Sequence, residues 1–302
     1  MKPQISVLMA NYNHADLIGA AIASVQAQTI SEWELVIVDD GSSDDSLSVI
    51  ASVVAGDVRI RVESCQQNQG VGYVKRLCAQ LAQAPLLTIL DPDDCLSANA
   101  LEVLVTAHRE QSGASLIWSN HHLCDERLQV MKTTSSSYSG DSVAGYLLHA
   151  SGSIHHCWSF KKEFYDRTEG FSQDYPLAED QDLFYKLEEV GSTYHVPDVL
   201  YYYRIHEGGI STGDKTAEAF GWHLLAMNEA LRRRKKIWNP DRLRQTKRVV
   251  ESRWKEFSAW GIPSVSKPLL RQLLMTAWRF NLPIGILWSC CREELRRQLR
   301  SI

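Results

Sequence analysis

Short apolar runs, each followed by a helical pattern, recur through the first 120 residues and constrain the fold more than any other feature. ISVLMA (5–10) ends in Asn11-Tyr12-Asn13. ELVIVDD (34–40) closes on Gly41-Ser42-Ser43, VRIRVES (58–64) alternates, LLTIL (86–90) runs into Asp91-Pro92-Asp93-Asp94, and SLIWSN (115–120) follows. Leu17, Ile18, Ala21, Ile22 and Val25 share one helical face, with Asn13 placed as its cap and Asp16 in its first turn. Further helical patterns run to about Val54, over about 72–83 and over 97–111. Apolar strands alternating with helices predict an α/β fold with a mostly parallel sheet covered on both faces.

Ligands of such sheets bind beyond the carboxyl ends of the strands. The polar clusters after the first, second and fourth runs all fall on that edge, which predicts a nucleotide-sized pocket. The first strand–helix turn has no GxGxxG, and GVGYVK (70–75) lacks the third glycine, so this is not a dinucleotide fingerprint. Asp40 is a candidate reader of a base's ring N–H, with Tyr12 packed beside the ring. The competing reading makes Asp39, Asp40 and Gly-Ser-Ser a turn and helix cap. Asp91, Asp93 and Asp94 repel one another unless a cation intervenes, and a hard divalent ion with a substrate diphosphate relieves that cost. Alternatively, Asp93 or Asp94 caps the helix near Ser97. In YPLAEDQDLFYKLEE (175–189), Glu179, Asp180 and Asp182 fall in the first turn of a helix. There they complement its dipole or supply a general base. Arg204 and His206, in YYYRIHEGGIS (201–211), suit phosphate oxygens, and His206 also suits a metal.

The chain has 302 residues, 44% of them hydrophobic, enough for a sizeable core. Its seven cysteines form no CxxC pair, which argues against a disulfide framework or a structural zinc site and fits a reducing compartment. No run resembles a signal peptide or reaches the roughly 18 apolar residues of a spanning helix. The expectation is a cytoplasmic protein, with peripheral attachment to the inner face of a membrane as one alternative. Residues 231–302 hold 18 basic against 5 acidic residues, a net +13, whereas 1–230 carry −17. The basic run LRRRKK (231–236) and the Leu- and Trp-bearing stretch 269–300, broken by Pro283 and Gly285, fit two arrangements equally. One is a helix lying on anionic lipid; the other is a helical hairpin packed on the preceding domain. Only charge speaks for nucleic acid, and none is expected. His155, His156 and Trp158 are candidates for sugar contact or, for Trp158, core.

Taken together the motifs resemble those of a family 2 glycosyltransferase of the GT-A fold. The pieces come in that family's order over roughly 4–212: SVLMANYNHADLIGAAIASVQAQTISEWELVIVDDGSSDDS, NQGVGYVKRLCAQLAQ, LLTILDPDD, Gly170-Phe171, AEDQDL and YRIHEGGIS. The resemblance implies a catalytic domain over 1–212 (donor half 1–120, acceptor half 121–212) and a basic helical segment over 213–302. It assigns Tyr12 and Asp40 to the donor's base, Asp91 and Asp93 to a DxD motif with Asp93 the direct ligand of Mn2+ or Mg2+, and Asp180 to the catalytic base with Glu179 beside it. Arg204 and His206 match a loop closing over the diphosphate. Lys75, followed by Arg76, stands where the family commonly has Arg and is assigned, like Asp91, to donor binding; lysine keeps the charge without the planar fork. The implied activity is inverting, metal-dependent transfer of a sugar from a nucleotide-diphosphate donor, favouring UDP, to a glycan or lipid-linked acceptor in cell-surface polysaccharide synthesis. A catalytically silent scaffold and a metal-dependent nucleotidyltransferase are the alternatives.

Overall fold

The computed structural model describes residues 2–135, 145–147, 154–206, 216–236, 238–260 and 266–279. Among these, one sheet is built from β1 (Ile5–Asn11), β2 (Trp33–Asp39), β3 (Ile60–Ser64), β4 (Leu86–Ile89), β5 (Cys95–Leu96), β6 (Ala114–Cys124), β7 (Val130–Thr134), β8 (Trp158–Lys161) and β9 (Ser192–Arg204). Their spatial order is β3-β2-β1-β4-β8-β6-β9-β5, with β7 hydrogen-bonded to β6. The first four strands are parallel, as are β6 and β9. β8 is antiparallel to both β4 and β6 and joins the two parallel blocks. The helices are α1 (Ile18–Gln26), α2 (Ser46–Val54), α3 (Val71–Leu81), α4 (Ala100–Glu110), α5 (Lys162–Tyr165), α6 (Glu179–Glu188), α7 (Thr216–Arg234), α8 (Pro240–Trp260) and α9 (Lys267–Arg279).

Both faces of the sheet are covered, and the strand period of two sorts the side chains between them. Val7 and Met9 of β1 and Leu35 and Ile37 of β2 pack with Ile18, Ile22 and Val25 of α1. Leu8, Val36 and Val38 face the other way, into a cluster with Val74 and Cys78 of α3. That second cluster is continuous with Phe184 and Leu187 of α6, Trp222 and Leu225 of α7, Trp254 and Phe257 of α8, and Leu269 and Leu273 of α9. The helices after residue 212 therefore share the sheet's core. Trp158 belongs to it as well, 4% exposed and packed on Phe160 and Phe184.

The structure departs from the sequence expectations at Asn13 and at Asp94, and it shows how the basic run is placed. Asn13 caps no helix: it takes a left-handed conformation, φ +58°, and its side-chain oxygen accepts from the Ser43 N–H at 2.8 Å, so it clasps the loop after β2. Asp94 does not cap α4 either, whose N-cap is Asn99. The basic run does not face outward as a block. Arg234 is fully buried, its guanidinium 2.9 Å from Glu188 and 3.0 Å from Glu189, and Arg233 lies 2.9 Å from Glu189. No helix among the described residues is long and apolar enough to cross a membrane. The expected break at Pro283 and Gly285, and Gly208 to Ser211 of YYYRIHEGGIS, lie outside those residues.

Candidate active site

The loops after β1, β2 and β4 and the start of α6 border one cleft of about 410 Å³. Its floor begins where β1 and β2 end. Asp39 is fully buried; it accepts from Asn11 Nδ2 at 2.7 Å and from the Ser42 N–H at 2.9 Å. Asp40 accepts from the backbone N–H groups of Gln69 and Gly70, at 2.7 and 2.9 Å, and lines the cleft. Asp39 makes the turn, and Asp40 ties the loop before α3 to the end of β2 while lining the cleft. Gly41 completes the corner at φ +71°, where a Cβ would stand 2.9 Å from the Gln67 backbone. Tyr12, 43% exposed, lies on the same rim.

The acidic loop after β4 is split in a similar way. Asp94 has no exposed surface; it accepts from the Tyr201 hydroxyl at 2.8 Å and from the Arg204 N–H at 2.7 Å. Burial, with Asp93 and Asp91 nearby, pushes its carboxyl well above the usual range. It is a fastener between this loop and β9. Asp91 lies 3.6 Å from the Lys75 ammonium and 3.9 Å from His156 Nδ1, and Asp93 is 3.0 Å from His206 Nε2. Ligand atoms of Asp91, Asp94 and His156 come within 4.8 Å of one another. His156 stacks on Tyr203 with centroids 4.3 Å apart, and burial and His155 push its imidazole down to about 3. At that value the imidazole is neutral near pH 7.

Glu179 and Asp180 open α6 behind Ala178, whose φ of +61° is a strained conformation for a residue with a Cβ. Glu179 takes the Lys75 ammonium at 2.7 Å. Asp180 is pushed up to about 6, by burial first and then by the Glu179 charge, with Lys75 opposing. A carboxylate poised there is a competent base near neutral pH.

Tyr12, Asp40, Lys75, Asp91, Asp93, Glu179 and Asp180 all line this cleft, and His206 meets it through Asp93. Arg204 does not: its Nε donates to the Asp93 carbonyl and its Nη1 to that of Glu126, both at 2.7 Å. Both contacts tie β9 to the neighbouring loops. Sequence reasoning missed Tyr201, which also receives the Asp91 N–H at 3.3 Å, and Ala219, which carries α7 into the cleft wall. The strand period across Tyr201-Tyr202-Tyr203 was the available signal for the first. None existed for the second.

The model of the family described as glycosyl transferase family 2 matches residues 6–168, more than half of the chain. The chain belongs to glycosyl transferase family 2. It is 27% identical to the chondroitin synthase of Escherichia coli over 231 residues, which are 76% of this chain and 33% of that protein. It likewise spans only 24% of the Pasteurella multocida chondroitin synthase and 23% of the hyaluronan synthase of that species. Among solved structures, S. aureus TarS 1–349 in complex with UDP-GlcNAc superposes with a TM-score of 0.63 at 16% identity, covering 99% of this chain and 92% of that one. The mannosyltransferase PcManGT of Pyrobaculum calidifontis, in complex with GDP-Man and Mn2+, gives 0.53 at 17%, covering 96% and 88%. These likenesses establish the GT-A fold, and the family makes the chain a glycosyltransferase.

Proposed function

We propose that this family 2 glycosyltransferase moves a sugar, with inversion, from a nucleoside-diphosphate donor to a hydroxyl of a glycan or lipid-linked acceptor in cell-surface polysaccharide synthesis. UDP-sugars are the favoured donors, in keeping with Asp40 as a reader of a base N–H. The observation that carries the proposal is a charge imbalance. Five acidic residues open onto the cleft (Asp40, Asp91, Asp93, Glu179 and Asp180), with Asp94 buried behind them, against one lysine and, among the described residues, no arginine. Such a cleft repels a diphosphate unless a cation accompanies it.

The donor set fits one. Oxygen-rich and hard, with a neutral imidazole beside it, it suits Mg2+ or Mn2+. Asp91 and Asp93 would hold the ion, with His156 and His206 at its margins. Asp94, its oxygens engaged by Tyr201 and Arg204, would act behind them. A bound ion supplies neutralisation of the leaving diphosphate. The remaining steps fall to the chain's own groups. Tyr12 and Asp40 seat the base, and the cleft walls align donor and acceptor. Asp180 takes the proton of the acceptor hydroxyl as its oxygen bonds to the anomeric carbon. The carbon–oxygen bond to the diphosphate breaks on the opposite side, and the nucleoside diphosphate leaves with the electron pair.

Asp180→Asn tests the assignment. Transfer is expected to disappear while calorimetric binding of the donor nucleotide with Mn2+ stays near wild type. Near-normal turnover would refute the base. A silent scaffold predicts no transfer from any donor by the wild type, and a nucleotidyltransferase predicts pyrophosphate among the products.

A further inference from the structure

Lys75 is the one lysine or arginine among the described residues that lines the cleft, yet its ammonium is already engaged. It rises from the second turn of α3 to lie 2.7 Å from Glu179 at the head of α6 and 3.6 Å from Asp91 behind β4, and the residue is only 7% exposed. Three elements distant in sequence meet at this nitrogen. We propose that Lys75 is a positioning residue for the base, pinning Glu179 so that Asp180 is presented to the cleft in fixed relation to Asp91, and is not a contact to the donor's phosphates. The inference rests on Asp180 being the base.

Two observations support it beyond the ion pair itself. Glu179 and Asp180 follow directly on the left-handed Ala178, a conformation that surrounding contacts must hold in place. α3 lies tight against the loop leading to α6: a Cβ on Gly72 would fall 2.2 Å from the Ser172 carbonyl oxygen, so the lysine's base is fixed as firmly as its tip. The groups facing Asp180 are Glu179 and the Gln181 N–H on its own helix, Lys75 from α3 and Asp91 from the acidic loop.

The experiment measures initial rates against pH, at saturating Mn2+ and donor panel conditions fixed by the wild type, for Lys75→Met, Glu179→Gln and the double variant. Nucleotide affinity and melting temperature are measured alongside. Lys75→Met leaves Glu179 unopposed beside Asp180. The acid limb of kcat/KM should move up by about one pH unit and kcat fall about tenfold, with donor KM and nucleotide Kd within about threefold of wild type. Glu179→Gln should move the limb down, and the double variant should return it to near the wild-type position. Glu179→Gln keeps the test alive should Lys75→Met fail to fold. A tenfold rise in donor KM with kcat and the limb unmoved would make Lys75 a phosphate contact and overturn the inference. So would a lowered melting temperature with an unmoved limb in every variant. If Asp180→Asn is inactive while these limbs stay still, the Lys75 inference alone fails; if Asp180→Asn is active, the base reading fails first.

Discussion

Asp91, Asp93 and Asp94 crowd the loop behind β4 with one lysine nearby, whereas Arg233 and Arg234 meet Asp182 and Glu188 of the facing helix α6 and Glu189 at its C-terminal cap. In the sequence both are runs of like charge that invite an external partner. In the fold the basic run is largely balanced from within. Arg234 also donates to the Tyr185 carbonyl at 2.8 Å and lies over the rings of Tyr185 and Trp238. The acidic run is balanced only in part. Asp94 is fastened to β9, and Asp91 and Asp93 still line the cleft with Asp40, Glu179 and Asp180. A charge run points to a ligand when the fold leaves its counter-charge to come from outside.

The sharpest way to break the contrast is to remove an internal counter-charge. Arg234→Met strands Glu188 in the core, and breaking such a buried pair from one side costs about 3–5 kcal/mol, read as a lower urea midpoint. A midpoint unchanged would mean the arginine is not a structural tie. Asp93→Ala attacks the other run: metal affinity and transfer should fall at least about a hundredfold, with the melting temperature of the metal-free protein preserved. Asp94→Asn lies between the two. It replaces one of the two oxygens that accept from Tyr201 and the Arg204 N–H and should cost about 1–3 kcal/mol of stability. Acid should act on the cleft through Asp180. The base works only unprotonated and its carboxyl is pushed up to about 6, so kcat/KM should fall about tenfold per unit as pH drops below that value. The smallest effect belongs to Lys235→Gln with Lys236→Gln. Both side chains are exposed, and the pair should alter stability by no more than about 0.5 kcal/mol.

The parallel strands and their helices were legible because the apolar runs keep the strand period and the helix faces keep theirs. The cleft was legible for the same reason: Asp40, Asp91 and Asp93 stand where strands end, and strand order alone brings them to one edge. β8 was not, since four residues of an antiparallel insert read like any short apolar run. Asp94 was misread because its partners, Tyr201 and the Arg204 N–H, lie more than a hundred residues away. Arg204 and the basic run show the same limit. A guanidinium suits phosphate, carbonyl and carboxylate alike, and only the fold decides which it meets.

In the proposed function a divalent ion supplies the counter-charge that lets this acidic cleft hold a donor diphosphate. Calorimetric titration of the wild-type protein with UDP and with GDP, in Mn2+, in Mg2+ and in EDTA, tests it directly. Binding of at least one nucleotide with a divalent ion present, lost in EDTA, is the predicted result. Equal affinity in EDTA would contradict it, because a cleft lined by Asp40, Asp91, Asp93 and Asp180, with its one lysine already engaged, would then hold a diphosphate with no added counter-charge.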